Sequence, residues 1–285
     1  MVPSPRPRYD RIVSLVLLVV IGMAVIFAID LNPNTFRVLL GGDFPVITVS
    51  WLLIASLVLI TSTGADVFIR AHPTMQTRSL PTIRLGPVEL EFAPSFWILP
   101  SLSIITSFAF FRLFSESLQT LAFILALGAA GVLLLASFVA QHYALDRTAE
   151  IRDRAQLVLQ IITYLLAFAG FSAIYYARLR WLYSGVMVGA LATLLAYALL
   201  QWAAPRNGLL VLAGTIGIVL GEAMWALNYW ATPFLLGGAL LVVIFYIASG
   251  AVQQHLQGKL SRQVLIEYGV LGGVFLAGVV FLTFR

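Results

Sequence analysis

The chain has 285 residues, 61% of them hydrophobic and only 10% charged, with a formal net charge of +5 and no cysteine. That leaves too little polar surface to coat a soluble particle of 31.1 kDa, so the composition places the chain in a membrane. Without cysteine there are no disulfides, thiolate metal sites, iron–sulfur clusters or cysteine nucleophile, and the basic residues gather at the ends of apolar runs, where they meet anionic headgroups rather than nucleic acid.

Stretches of about 20 apolar residues predict one all-α integral-membrane domain over residues 1–285. Nine spans are expected, near 12–29, 46–63, 95–114, 118–141, 157–177, 181–203, 208–229, 232–252 and 264–284. The first follows Arg6, Arg8 and Arg11 in the manner of a signal peptide. It is long and lacks a small-x-small cleavage site, so it reads as a retained anchor. A cytoplasmic amino terminus puts most of the 17 basic residues inside, the others being Arg37, Arg112, Arg178, Arg180 and Arg285. The expectation is therefore a multi-pass protein of the inner (cytoplasmic) membrane with its carboxyl terminus outside.

Between the second and third spans the chain carries Pro73, Pro81, Pro87 and Pro94. Within that stretch Ile83, Leu85, Val88, Leu90 and Phe92 alternate with Arg84, Glu89 and Glu91 around Gly86-Pro87. Period-two spacing about a turn predicts a short cytoplasmic β-hairpin over 82–92, which would fill the interface or dock a protein partner.

Later in the chain the pattern repeats. The fourth span ends Gln141-His142 and the eighth Gln254-His255, and an Ala-Pro pair, Ala93-Pro94 or Ala204-Pro205, stands nearly the same distance before each histidine. Trp51-Leu52 and Trp181-Leu182 each lie in the span upstream. These matches predict two parallel four-helix repeats related by a pseudo-twofold axis along the membrane normal, with the first span added outside: a 1+4+4 arrangement.

Glu222 is the residue that an apolar run does not explain, because an ionised carboxylate in hydrocarbon is costly unless something pairs with it or protonates it. In the repeat alignment Arg112 falls at nearly the same depth in the equivalent helix, which predicts a Glu222–Arg112 pair, either structural or the polar floor of a cavity. Bonding to Asn228 is the other outlet for the carboxylate. Thr215, Glu222 and Tyr229 are seven apart and Trp225 lies beside them, giving one polar and aromatic face, while Gly214, Gly217 and Gly221 permit close helix approach on the adjoining side.

A second candidate lies after the fourth span, where His142, Asp146, Glu150 and Asp153 share one face if the helix continues, a weak pattern for a divalent metal. Arg147, Arg152 and Arg154 flank that stripe, so a solvated helix accounts for it equally well. His72, His142 and His255 all fall at span ends, the wrong depth for bis-histidine haem ligation. No cofactor-binding pattern is found. Intramembrane aromatic prenyltransferases hold diphosphate through two aspartate-rich loops, and the stretch 64–94 offers only Asp66. Nucleophile-elbow, zinc-protease and phosphate-loop motifs are also missing from the sequence.

The embedded carboxylate and the repeat favour a protein that binds or translocates a small or lipidic solute between the repeats, in contact with the lipid bilayer. Two other readings fit the same residues: a non-catalytic membrane subunit or scaffold with a structural Glu222–Arg112 pair, and a lipid-processing enzyme at the cytoplasmic rim.

Overall fold

A computed structural model describes residues 8–30, 37–38, 47–76, 82–85, 88–91, 93–112, 120–146, 148–202, 208–230 and 232–283. Among the described residues eight helices are long and apolar enough to cross a membrane: α1 (Tyr9–Asp30), α2 (Val49–Arg70), α5 (Thr120–Tyr143), α6 (Ala149–Tyr176), α7 (Trp181–Leu200), α8 (Leu209–Asn228), α9 (Phe234–Leu256) and α10 (Arg262–Thr283). The chain is thus a polytopic helical membrane protein. Two shorter helices, α3 (Pro73–Gln76) and α4 (Ile98–Arg112), complete the set.

In the third expected span, 95–114, the described α-helix starts late. A single 3-10 turn, Pro94–Phe96, precedes α4, and residues 113–114 of that expected span lie outside the described residues. The stretch expected as a hairpin, 82–92, is no part of the helical framework, which contains no sheet layer among the described residues. Among the described residues the strands are β1 (Arg37–Val38) with β2 (Ile47–Thr48), and β3 (Thr82–Leu85) with β4 (Val88–Glu91), the latter pairing Thr82 with Glu91 and Leu85 with Val88. Two-stranded ribbons of this length are marginal in isolation. Gly86-Pro87, Phe92 and Pro205 lie outside the described residues.

Two compact units divide the chain, Met1–Ile162 and Thr163–Arg285. In the first, α1 is a core element rather than an added outer helix. Ile12, Val16, Val19, Met23 and Phe27 form its buried stripe, while Leu17, Leu18, Ile21 and Val25 face outward to lipid. Glycines receive branched side chains from the facing helix: a Cβ on Gly22 of α1 would lie 2.8 Å from Leu57, and one on Gly131 of α5 would lie 2.8 Å from Val20 of α1. Phe27 then meets Phe108 at 5.0 Å and Phe123 at 5.3 Å, with Trp51 edge-on to Phe108 at 5.1 Å. Such offset and edge contacts are the favoured aromatic geometries.

In the second unit, helix cohesion is of another kind. α7 presents Gly185 and Gly189, α8 presents Gly217 and Gly221, and the helices run antiparallel, so Gly185 meets Gly221 and Gly189 meets Gly217. A Cβ on Gly217 would lie 2.5 Å from the Gly189 carbonyl oxygen, and one on Gly221 would lie 3.0 Å from that of Gly185. Only glycine permits this approach of backbone to backbone, which is how membrane helices adhere where burial from water supplies no drive. Tyr175 of α6, buried, places its hydroxyl 2.8 Å from both the Trp230 carbonyl and the Thr232 hydroxyl, tying α6 to the α8–α9 connection. Its ring also fills the notch at Gly237 of α9. α10 contacts α9 through Tyr268 at Gly250 and Gly272 at Ile247, buries Val279, and leaves most of its other residues open to lipid.

The glycine contact makes a stability prediction. Gly217→Val should destabilise the protein by about 1–3 kcal/mol, the usual cost of overpacking, whereas Gly214→Val, whose Cβ meets nothing within 4 Å, should leave the unfolding midpoint nearly unchanged. Thermal unfolding of the two purified variants in one detergent measures the difference.

Candidate functional site

Close approach of two glycine faces leaves no side chains along their flank, and the result is a groove. It has a volume of about 440 Å³ and opens outward from the α7–α8 hairpin. Gly185, Gly189, Gly214, Gly217 and Gly221 form its floor, with Val186, Ala190, Thr193 and Ile218 beside them. Trp181, Leu182, Glu222 and Trp225 line the end nearer the start of α7 and the end of α8.

Glu222 is the single charged residue of that lining. The buried seam of α8 is Ala213, Ile216, Gly217, Leu220, Met224 and Leu227, and the helical period turns Glu222 away from it, so the residue is exposed. Among the described residues of the second unit no side chain bonds its carboxylate. Trp225, three residues on, pairs its ring with Trp181 of α7 at 5.7 Å and a 34° tilt. The Trp225 indole donates to the hydroxyl of Tyr229 at 3.3 Å.

The residues expected around Glu222 separate into different roles. Trp225 shares the groove with it, and Tyr229, itself 77% exposed, props Trp225. Asn228 donates to the Ser184 hydroxyl at 2.8 Å, which pins α8 to α7 and commits that amide away from the carboxylate. Thr215 donates to the Val211 carbonyl of its own helix at 3.0 Å and is exposed. Arg112 closes α4 in the first unit. Sequence reasoning missed Trp181, Gly185 and Gly189, although Gly185-x-x-x-Gly189 was a readable signal for close packing.

One end of the first unit holds a second polar cluster. Asp66 of α2 is buried, pairs with Arg70 one turn on, and accepts from the Ala93 backbone at 2.9 Å and the Trp97 indole at 3.3 Å. This clasp holds the 3-10 turn in place and explains why α4 begins late. Gln141, also buried, donates to the Phe96 carbonyl at 3.2 Å from α5. Beside them the His72 and His142 rings meet edge-on with centroids 4.7 Å apart, and Tyr9 of α1 shares a 2.7 Å hydrogen bond with Tyr143.

The acidic stripe does not converge as a metal site. α5 stops at Tyr143 and α6 starts at Ala149, so the continuous helix that would align His142, Asp146, Glu150 and Asp153 is broken. Asp146 accepts from the Thr148 backbone at 3.0 Å at the start of α6, Glu150 pairs with Arg154 at 2.6 Å, and Asp153 lies 3.7 Å from Arg152. Among the described residues no three metal-ligating side chains come together.

His72 lies just beyond α2, and its imidazole is held below its ordinary pKa of 6.5, first by burial and then by His142, with Asp146 acting in the opposite sense. Its Nδ1 lies 2.6 Å from the Thr74 hydroxyl and 3.3 Å from the Thr74 backbone N–H. Folding thus disfavours the charged form, and the unfolded chain binds the proton first. The contribution to stability is whole above pH 6.5 and shrinks as the pH falls through and below that value. Acidification from about pH 7.5 to about pH 5.5 should lower the unfolding midpoint of the native chain and lower that of His72→Gln less. Fluorescence-detected melting across the pH series measures both slopes.

No curated protein and no solved structure matches this chain. A family model described as "Protein of unknown function (DUF5656)" matches residues 31–282, from just after α1 almost to the end of α10. The match covers the α7–α8 groove and the polar cluster built on α2, α4 and α5, leaving out only the contribution of α1. By that extent of agreement the chain belongs to the DUF5656 family of membrane proteins of unknown function.

Proposed function

We propose that this protein binds a lipidic solute on the open face of the α7–α8 hairpin, with Glu222 as the polar anchor. The observation that carries the proposal is an exposed carboxylate at one end of an otherwise apolar groove. Glu222 precedes the last residue of α8, Asn228, by six residues, which sets it about 9 Å inside the helix end. Side chains on a helix lean toward its amino terminus, so the glutamate leans along the groove rather than toward the nearer membrane surface.

The order of chemistry along the groove matches that of an amphiphile in one leaflet. Tyr229 and the Trp181–Trp225 pair stand at the interfacial end, the carboxylate follows, and the glycine floor continues into the apolar interior. A head seated at Glu222 would therefore direct its chain along Gly221, Gly217 and Gly214. A volume of about 440 Å³ suits one such chain and a small head, within the usual range for small-molecule sites.

Gly214→Leu tests the proposal cleanly, because Gly214 lines the groove and a Cβ there meets nothing within 4 Å. Native mass spectrometry of protein released from its own membrane should show a lipid-sized adduct on the native chain. The adduct should disappear in Gly214→Leu while the unfolding midpoint of the ligand-free protein stays the same. Equal adducts on both proteins would sink the reading.

A further inference from the structure

The groove also specifies what kind of head its occupant carries. Building on the reading of the groove as a lipidic site, we infer that the solute is a membrane-resident amphiphile with a cationic, ammonium-type head. Glu222 supplies the only formal charge in the lining, and that charge is negative. An anionic head would meet like-charge repulsion in a medium of low dielectric, and a neutral one would leave the carboxylate uncompensated. An ammonium cancels the charge at contact.

Aromatic placement points the same way. Trp225 is three residues from Glu222 and so on the same side of α8. Trp181 stacks against it from α7 and lines the same end. Indole faces attract cations more strongly than other aromatic rings, and the attraction grows where water is excluded. A carboxylate with two indoles at one end of an apolar slot thus joins both modes of ammonium recognition. The Arg178 guanidinium lies over the Tyr175 ring, 5.3 Å from its centroid, and is not part of the groove lining.

The apolar floor decides between a free amine and a lipid-borne one. A soluble ammonium ion would gain nothing from the glycine floor and its apolar flanks, whereas an alkyl chain covers them. The inference therefore commits to an amphiphile drawn from the bilayer.

The test uses the full-length protein in nanodiscs of uncharged lipid, titrated with bromine-labelled amphiphiles of equal chain length that quench tryptophan on contact. One carries a trimethylammonium head, one a phosphate and one a glucoside. The ammonium probe should bind about tenfold or more tightly than either of the others, a difference of about 1.4 kcal/mol. Glu222→Gln should abolish that preference without moving the unfolding midpoint, and Glu222→Asp should keep part of it.

Equal affinities for all three probes, still lost in Gly214→Leu, would overturn the cationic head and leave the groove as a lipid site. Binding that Gly214→Leu does not weaken would overturn the groove reading as well. Displacement of the ammonium probe by choline alone at the same concentration would make the occupant a soluble amine and overturn the inference.

Discussion

The backbone contact between α7 and α8 is the interaction on which the second unit depends. In hydrocarbon, pressing two apolar helices together removes no water, so cohesion has to come from close packing. Paired glycines at Gly185–Gly221 and Gly189–Gly217 bring the main chains within reach of each other's carbonyl oxygens. Asn228 and Ser184 add a side-chain bond near the interfacial end, where an amide can be both satisfied and partly hydrated. The same absence of side chains that permits the contact hollows out its flank. Adhesion and groove are thus two consequences of one glycine pattern, and that links the packing of this unit to the function proposed for it.

The first unit solves the cohesion problem differently. Its glycines accept leucine and valine side chains rather than backbone, and an aromatic cluster about Phe27 and Phe108 fills the centre. A polar cluster lies at one end, where Asp66, Gln141, Tyr143 and the two histidines bond to neighbouring elements or to one another. Asp66 illustrates how a single buried carboxylate is made tolerable: an arginine one turn away, a backbone N–H and an indole N–H all serve it. Among the described residues of the second unit, none of these serves Glu222. Two acidic residues in membrane helices therefore have opposite local settings, the one enclosed by donors and the other open at a groove. This contrast is why Glu222 rather than Asp66 is the candidate for meeting a solute.

Much of the membrane architecture was legible in the sequence. Helix positions followed from apolar length alone, because backbone groups in lipid must be satisfied within each segment and few structures other than helices can do that. The late helical start of the third span was not legible, since it depends on Asp66 holding Ala93 and Trp97 across a separation in sequence that no local pattern reports. The place of α1 was not legible either. A helix apolar on every side gives no sign of which face will be buried, and only Leu57 and Val20 meeting Gly22 and Gly131 decide it. The acidic stripe failed for a similar reason, because its shared face required a helix that ends at Tyr143.

At the candidate site the sequence by itself determined that Glu222 is an acidic residue in a membrane span, that Trp225 shares its side of the helix, and that glycines lie nearby. These are properties of spacing along one helix, which the 3.6-residue period makes readable. Tertiary structure alone decided that the glycines of α8 meet those of α7, that Asn228 is spent on Ser184, and that Trp181 joins Trp225 over an open groove. Those facts concern which helix faces which, and a lipid environment that treats all apolar faces alike leaves that choice to the fit of side chains between helices.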